Sequence, residues 1–120
     1  MISLEDFKKV DIVVGKILSA EKVPETDKLL KLSVDLGPSV AKALDGEGSN
    51  DIRQIVSGIA TYFPDCSVLV GKKCMFVANL EPRTIRGLES QGMILAVAGE
   101  EGEFSLLEPN NQIKAGTRAR

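Results

Sequence analysis

Leu30, Leu32, Val34 and Leu36 alternate with Lys31, Ser33 and Asp35, and this two-residue period suits only an extended strand with one apolar and one polar face. Such a strand needs a sheet to hold it and a core to cover its apolar side. Val10, Ile12 and Val14 alternate with Asp11 and Val13, and the parity changes between Gly15 and Ile17, which predicts a long first strand bent by a bulge. Further strands are predicted over 52–57, 73–78, 93–98 and 103–107, with turns at Pro24-Glu25-Thr26-Asp27 and Gly99-Glu100-Glu101-Gly102. The stretch 37–51, dominated by Gly, Ser, Asp and Asn, reads as an exposed connection with about one helical turn around 40–44, and no function is assigned to it.

Ser3 followed by Asp6 has capping-box spacing and opens a short helix whose Leu4 and Phe7 share a face. Between the third and fourth strands, 58–70 reads as a short helix with turns. Short strands, punctuating glycines and that helical interruption together predict an all-β fold. Its form is a five-stranded barrel of the oligonucleotide-binding (OB) type, with a short N-terminal helix, a short helix between strands 3 and 4, and a C-terminal extra strand.

At 120 residues the chain fits one domain, 1–120, and 43% hydrophobic against 27% charged residues is ordinary for a folded protein. No apolar run reaches the roughly 18 residues that span a bilayer, and the first residues lack a basic-then-apolar leader, so no membrane is expected and the location read is cytoplasmic. Cys66 and Cys74 are the only cysteines and read as two reduced thiols, Cys74 being a small buried hydrophobe. The absence of histidine removes the commonest general base and metal ligand, so no catalytic residue, metal or cofactor is assigned. An enzyme built on Cys66 beside Asp65 lacks a partnering base. A net charge of -2 gives no bulk attraction to polyanions, and any such attraction needs basic groups gathered in one place.

The stretch 78–93 offers that gathering. Asn79 ends an apolar strand, Pro82 braces a loop bearing Arg83 and Arg86, and Gly87 lets a ligand approach the backbone. On spacing alone, Arg83 and Arg86 are equally two solvated arginines paired with Glu81 and Glu89, and Asn79 is more readily a turn cap. Ser90-Gln91-Gly92 leads into Met93, whose shared parity with Leu95 and Val97 favours the core. Arg53, Ile55 and Ser57 share one face of a strand, and Lys28 follows the first hairpin turn at the corresponding rim. Brought together, Lys28, Arg53, Arg83 and Arg86 make a concave basic patch on an acidic protein. With 4% aromatics and no tryptophan, a stacking track is weakly supplied, and a folded RNA read through phosphates and 2′-hydroxyls suits the inventory better.

These residues resemble the tRNA-binding domain found at the C-terminus of many bacterial methionyl-tRNA synthetases, a family shared with free-standing tRNA-binding proteins and cytokine-like synthetase auxiliary proteins. The resemblance rests on Asp6-Phe7 with Val10-Asp11-Ile12 and Val14-Gly15-Lys16-Ile17, and on Ala20-Glu21-Lys22 leading to Thr26-Asp27-Lys28-Leu29. It continues through Arg53-Gln54-Ile55-Val56-Ser57-Gly58-Ile59, Val70-Gly71-Lys72-Lys73, the whole 78–95 segment and Ala115-Gly116-Thr117-Arg118. Val13 stands where the family usually carries an arginine, and 37–51 is longer than the usual connection. The resemblance implies a homodimeric, non-catalytic OB domain that recognises tRNA shape with little sequence preference. It implies an accessory to methionine-tRNA ligase that raises the synthetase's tRNA affinity, acting on the catalytic region in cis or in trans. It also implies RNA contacts at Lys28, Arg53, Ser57, Asn79, Arg83, Arg86, Ser90 and Met93. Two alternatives within the same fold are a free-standing structure-specific tRNA-binding protein and an export-chaperone-like polypeptide-binding domain.

Overall fold

The computed structural model describes residues 1–38 and 50–120. The connection predicted around 40–44 lies outside them, but both of its ends are strand. The elements are α1 (Leu4–Phe7), β1 (Ile12–Lys22), β2 (Leu30–Pro38), β3 (Asn50–Ser57), β4 (Lys73–Val77), β5 (Arg83–Ile85), β6 (Leu88–Ser90), β7 (Met93–Ile94), β8 (Ala96–Ala98) and β9 (Phe104–Leu106). Five strands form one antiparallel sheet in the order β3-β2-β1-β4-β7, and β5–β6 and β8–β9 are separate hairpins. Strand β1 is long enough to serve two partners, β4 along Ile12–Lys16 and β2 along Lys16–Lys22, and this exchange curls the sheet into the barrel-like fold expected from the sequence.

Leu30, Leu32, Val34 and Leu36 are all buried, as their alternation requires, and they meet Ile17, Ile55, Leu69, Cys74 and Phe76 in a single core. Each such side chain contributes about 1.5–3 kcal/mol by leaving water. The first strand departs from its predicted parity. Val13, Gly15 and Ile17 run inward without interruption, Val14 is buried outside that core, and the bulge falls at Leu18, where pairing skips from Ile17 to Ser19. Gly15 is a close approach instead of a bend: a Cβ there would sit 2.6 Å from the Phe76 ring and 2.7 Å from Val34. Val13, in the arginine's family position, is a core residue.

Ser3 caps α1 as predicted, its Oγ accepting from the Asp6 N–H at 3.1 Å, while the Asp6 carboxylate turns to Lys9. The helical interruption between β3 and β4 consists of two 3₁₀ turns, Ala60–Tyr62 and Cys66–Leu69, because Pro64 divides them and Asp65 caps the second. The last strand is integral to the fold: Leu106 enters the core, and the Leu107 carbonyl accepts from Met75 N–H at 2.9 Å. Beyond it the chain returns along β1. Val14 N–H donates to the Thr117 carbonyl, Gly116 N–H to the Val14 carbonyl and Ala119 N–H to the Ile12 carbonyl, and Arg118 pairs with Asp11.

Both cysteines are free thiols. Burial, aided by the Glu108 carboxylate and opposed by Lys72, pushes the Cys74 thiol up to about 11 from an ordinary 9.0. Between those values the unfolded chain releases a proton that the folded chain retains, so stability falls as pH rises, by up to about 2–3 kcal/mol. Denaturant unfolding from about pH 8 to about pH 11 is expected to show a smaller alkaline loss in Cys74→Ala than in wild type, although the variant starts less stable.

Candidate functional site

The segment 83–90, expected as a loop, is a hairpin. Arg83 pairs with Ser90, Thr84 with Glu89 and Ile85 with Leu88, which leaves Arg86 and Gly87 as a two-residue connection. Both have positive φ, 53° and 81°, as the mirror-image turns of tight hairpins demand. Asparagine or glycine is the ordinary occupant of the first of these positions. An arginine held there costs about 1–2 kcal/mol of backbone strain. The left-handed backbone at Arg86 sets the direction in which its side chain leaves the turn.

The hairpin lies along β3, and the barrel closes here through side chains as well as backbone. Gln91 N–H donates to the Gln54 carbonyl at 2.8 Å, Gln54 N–H donates to Gln91 Oε1 at 3.1 Å, and Gln54 Nε2 donates to the Glu89 carbonyl at 2.9 Å. Ser90, only 4% exposed, accepts from Val56 N–H at 3.0 Å and donates to the Gly92 carbonyl at 3.1 Å. Its hydroxyl replaces a missing rung of the ladder, so it positions the hairpin from beneath. Because Gln91 meets Gln54 while Ser90 meets Val56, β6 runs antiparallel to β3 and the hairpin tip points toward the end of that strand. There Ile85 and Arg86 line one hollow with Glu25, Thr26, Asp27, Lys28 and Leu29 of the β1–β2 turn.

Lys28 and Arg86 are thus brought together across two connections 58 positions apart in the chain. Arg83 stands exposed at the hairpin's base. Among the described residues these three cations have no ion-pair partner, so the alternative pairing of Arg83 and Arg86 with Glu81 and Glu89 is not formed. Ser57, opposite Leu30 at the end of β3, is half-buried near the same rim.

Arg53 is placed differently. It shares its face with Ile55 and Ser57 as predicted, but Leu30, Leu32 and Val34 are their cross-strand partners, so this face lines the barrel interior. Its guanidinium binds Asp51 at 2.9 Å, donates to the Gln91 carbonyl at 3.1 Å and reaches the Ala78 carbonyl. A half-desolvated guanidinium needs such partners, and through them it ties β3 to the end of β4 and to the hairpin base. Asn79 is also engaged: its Oδ1 accepts from Asp11 N–H at 2.8 Å and its Nδ2 donates to the Lys9 carbonyl at 2.6 Å, pinning the chain entering β1. Met93 departs from the core expectation. It is 44% exposed while Ile94 is buried, because β7 pairs Met93 with Val77 and turns Ile94 inward.

Gln54 and Asp51, which hold the hairpin and Arg53, were not legible as site residues, a polar residue in β3 being their only signal, and Gln91 was legible only as part of the polar Ser90-Gln91-Gly92 step. The Cys66–Asp65 pair has no catalytic geometry. Asp65 accepts from the Ser67 hydroxyl and N–H, which hold its carboxyl below the ordinary value, and Cys66 Sγ faces the Ala20 carbonyl at 3.4 Å. No group of potential metal ligands occurs among the described residues, and no helix there is long and apolar enough to cross a membrane.

A family profile described as "Putative tRNA binding domain" matches residues 12–118. The chain is 46% identical over its whole length to a protein named methionine–tRNA ligase from Methanosphaerula palustris, of which it spans 16%. Among solved structures, a MetRS-related protein from Pyrococcus horikoshii superposes with a TM-score of 0.84 at 35% identity, covering 100% of this chain and 98% of that one. The chaperone CsaA of Bacillus anthracis superposes with a TM-score of 0.79 at 26% identity, covering 100% and 99%.

Proposed function

Because the chain belongs to the tRNA-binding domain family, we propose that it is a non-catalytic module that docks tRNA on the cationic hairpin and raises the tRNA affinity of a methionyl-tRNA synthetase. The observation that carries this reading is Arg86, held in a left-handed turn beside Lys28 with no acid paired to it among the described residues. Unpaired guanidinium and ammonium groups on a rigid turn suit phosphate oxygens. Arg53, Asn79 and Ser90 hold the surface in shape through their hydrogen bonds, Ser57 lies half-buried at its rim, and Met93 is exposed. Three cations without an ion-pair partner among the described residues support affinities of only about 10⁻⁴ to 10⁻⁶ M by themselves. Linked to a synthetase, the same module acts at an effective concentration on the order of millimolar, which is how weak docking becomes a useful gain. The chain spans about a sixth of its curated relatives' length, so the ligase region is the partner, in cis or in trans. The fold also suits a homodimer: α1 buries none of its residues, and Leu4, Phe7, Val10 and Ala119 line a hollow, rimmed by Lys8, Arg118 and Arg120, that a second copy can fill.

A gel-shift titration with total tRNA tests the reading, with a size-exclusion mass measurement alongside for the pairing of copies. Arg83→Ala is expected to weaken binding several-fold at about 50 mM salt and to flatten the log K against log salt slope by about 0.7–0.9, the share of one phosphate. The melting temperature is expected to stay unchanged, because Arg83 makes no side-chain bond among the described residues. The likeness to CsaA supports a second reading, a polypeptide-binding domain. An unfolded polypeptide that binds and that tRNA cannot displace would favour it.

A further inference from the structure

The chain has one tyrosine, four phenylalanines and no tryptophan, and three of these rings meet at one surface hollow away from the cationic hairpin. Tyr62 stacks on Phe104 with ring centroids 3.9 Å apart and planes 9° from parallel, and Phe63 meets Phe104 edge-on at 5.8 Å. Phe63 and Phe104 pack against the core, so the stack is anchored from below. Tyr62 nevertheless remains 44% exposed. One ring face is covered by Phe104, and the rim is polar, with Ser105 beside Lys72 and Glu108, which pair at 3.4 Å. A flat ring with polar edges fits such a place better than an aliphatic side chain does.

The hollow is also tied to the first site. Ala60 N–H donates to the Lys28 carbonyl at 2.9 Å, and Tyr62 lies two residues further on, at most about 7 Å along the chain. A strand whose phosphates lie at Lys28 and Arg86 therefore passes within reach of the exposed ring. We propose that Tyr62, backed by Phe104, is a stacking platform for one unpaired nucleobase of the RNA docked at the hairpin. The proposal rests on the RNA-docking reading and adds to it a contact that does not depend on phosphate charge.

Stacking and phosphate contacts separate by their salt dependence. In gel-shift titrations of total tRNA across a salt series, Tyr62→Leu is expected to bind about tenfold more weakly with an unchanged slope, because no counterion release is lost. Tyr62→Phe, which keeps the ring, is expected to match wild type. Tyr62 is the only tyrosine and no tryptophan masks it, so its emission, corrected for nucleic-acid absorption, is expected to fall as tRNA is added. If wild type binds tRNA but Tyr62→Leu binds equally well and the emission is unmoved, the platform is overturned. If Tyr62→Leu instead loses binding of a reduced, alkylated polypeptide while keeping tRNA, the hollow belongs to protein and the proposal fails. Failure of wild type to bind tRNA at all overturns the docking reading, and this inference with it.

Discussion

Arg86→Asn is expected to weaken tRNA binding about tenfold at about 50 mM salt, while the melting temperature stays level or rises. The two effects have separate causes. The guanidinium is a charged donor, and a hydrogen bond to a charged group contributes about 1.5–3 kcal/mol, tenfold or more in affinity. Its removal should also flatten the salt slope by about 0.7–0.9. The backbone at position 86 sits at a φ of 53°, which asparagine tolerates and arginine does not favour. Relief of that strain offsets whatever the long side chain contributed to folding, by up to about 1 kcal/mol. Arg86→Ala separates the two, since it removes the charge and leaves a strained turn. Full tRNA affinity in Arg86→Asn, or a fall in its melting temperature, would mean that the turn exists for reasons unrelated to a ligand.

Gly37→Ala is expected to destabilise the domain by on the order of 3 kcal/mol, a fall of 10 °C or more in melting temperature. Gly37 has a φ of 86°, and a Cβ there would lie 2.5 Å from the Ala115 carbonyl oxygen. Across from it, a Cβ on Gly116 would lie 3.0 Å from the Leu36 carbonyl. The end of β2 and the returning C-terminal segment therefore touch backbone to backbone. A methyl group between them forces the segment away from β1 and breaks the bonds it makes to Ile12 and Val14, at about 1 kcal/mol each. Gly71→Ala is the control, because φ is 88° there but nothing lies within 4 Å of the added carbon. It should lose only the conformational part, about 1–2 kcal/mol. Equal losses in the two variants, read by thermal or denaturant unfolding, would show that the contact with 115–116 carries no stability.

The strands were legible where one face is buried and one wet. Leu30 to Leu36 alternate because β2 has core on one side only, and the same logic located β3 and β4. It failed at Val13 and Val14, where both faces of β1 are covered, so two adjacent valines are buried and the period disappears. The hairpin at 83–90 was missed because Arg-Gly is not a recognised turn dipeptide. Asparagine at position 86 would have announced it.

Local chemistry alone, read from residue order, determined the all-β class, the cap at Ser3 and the free thiols. Each depends on residue type and near-neighbour spacing, which pleat and helix geometry convert directly into structure. Which polar side chains remained available was decided by the folded chain. Arg53 and Arg83 are the same residue type in the sequence, yet one faces the barrel interior and is saturated by Asp51, Ala78 and Gln91, while the other faces water with no ion-pair partner among the described residues. Ser90 and Asn79 likewise became struts, and Lys28 and Arg86 became neighbours, because closure of the barrel between β3 and 89–91 joins segments that no short-range pattern connects. Desolvation is a property of position in three dimensions, and it separates a cation that holds the fold from one that can hold a ligand.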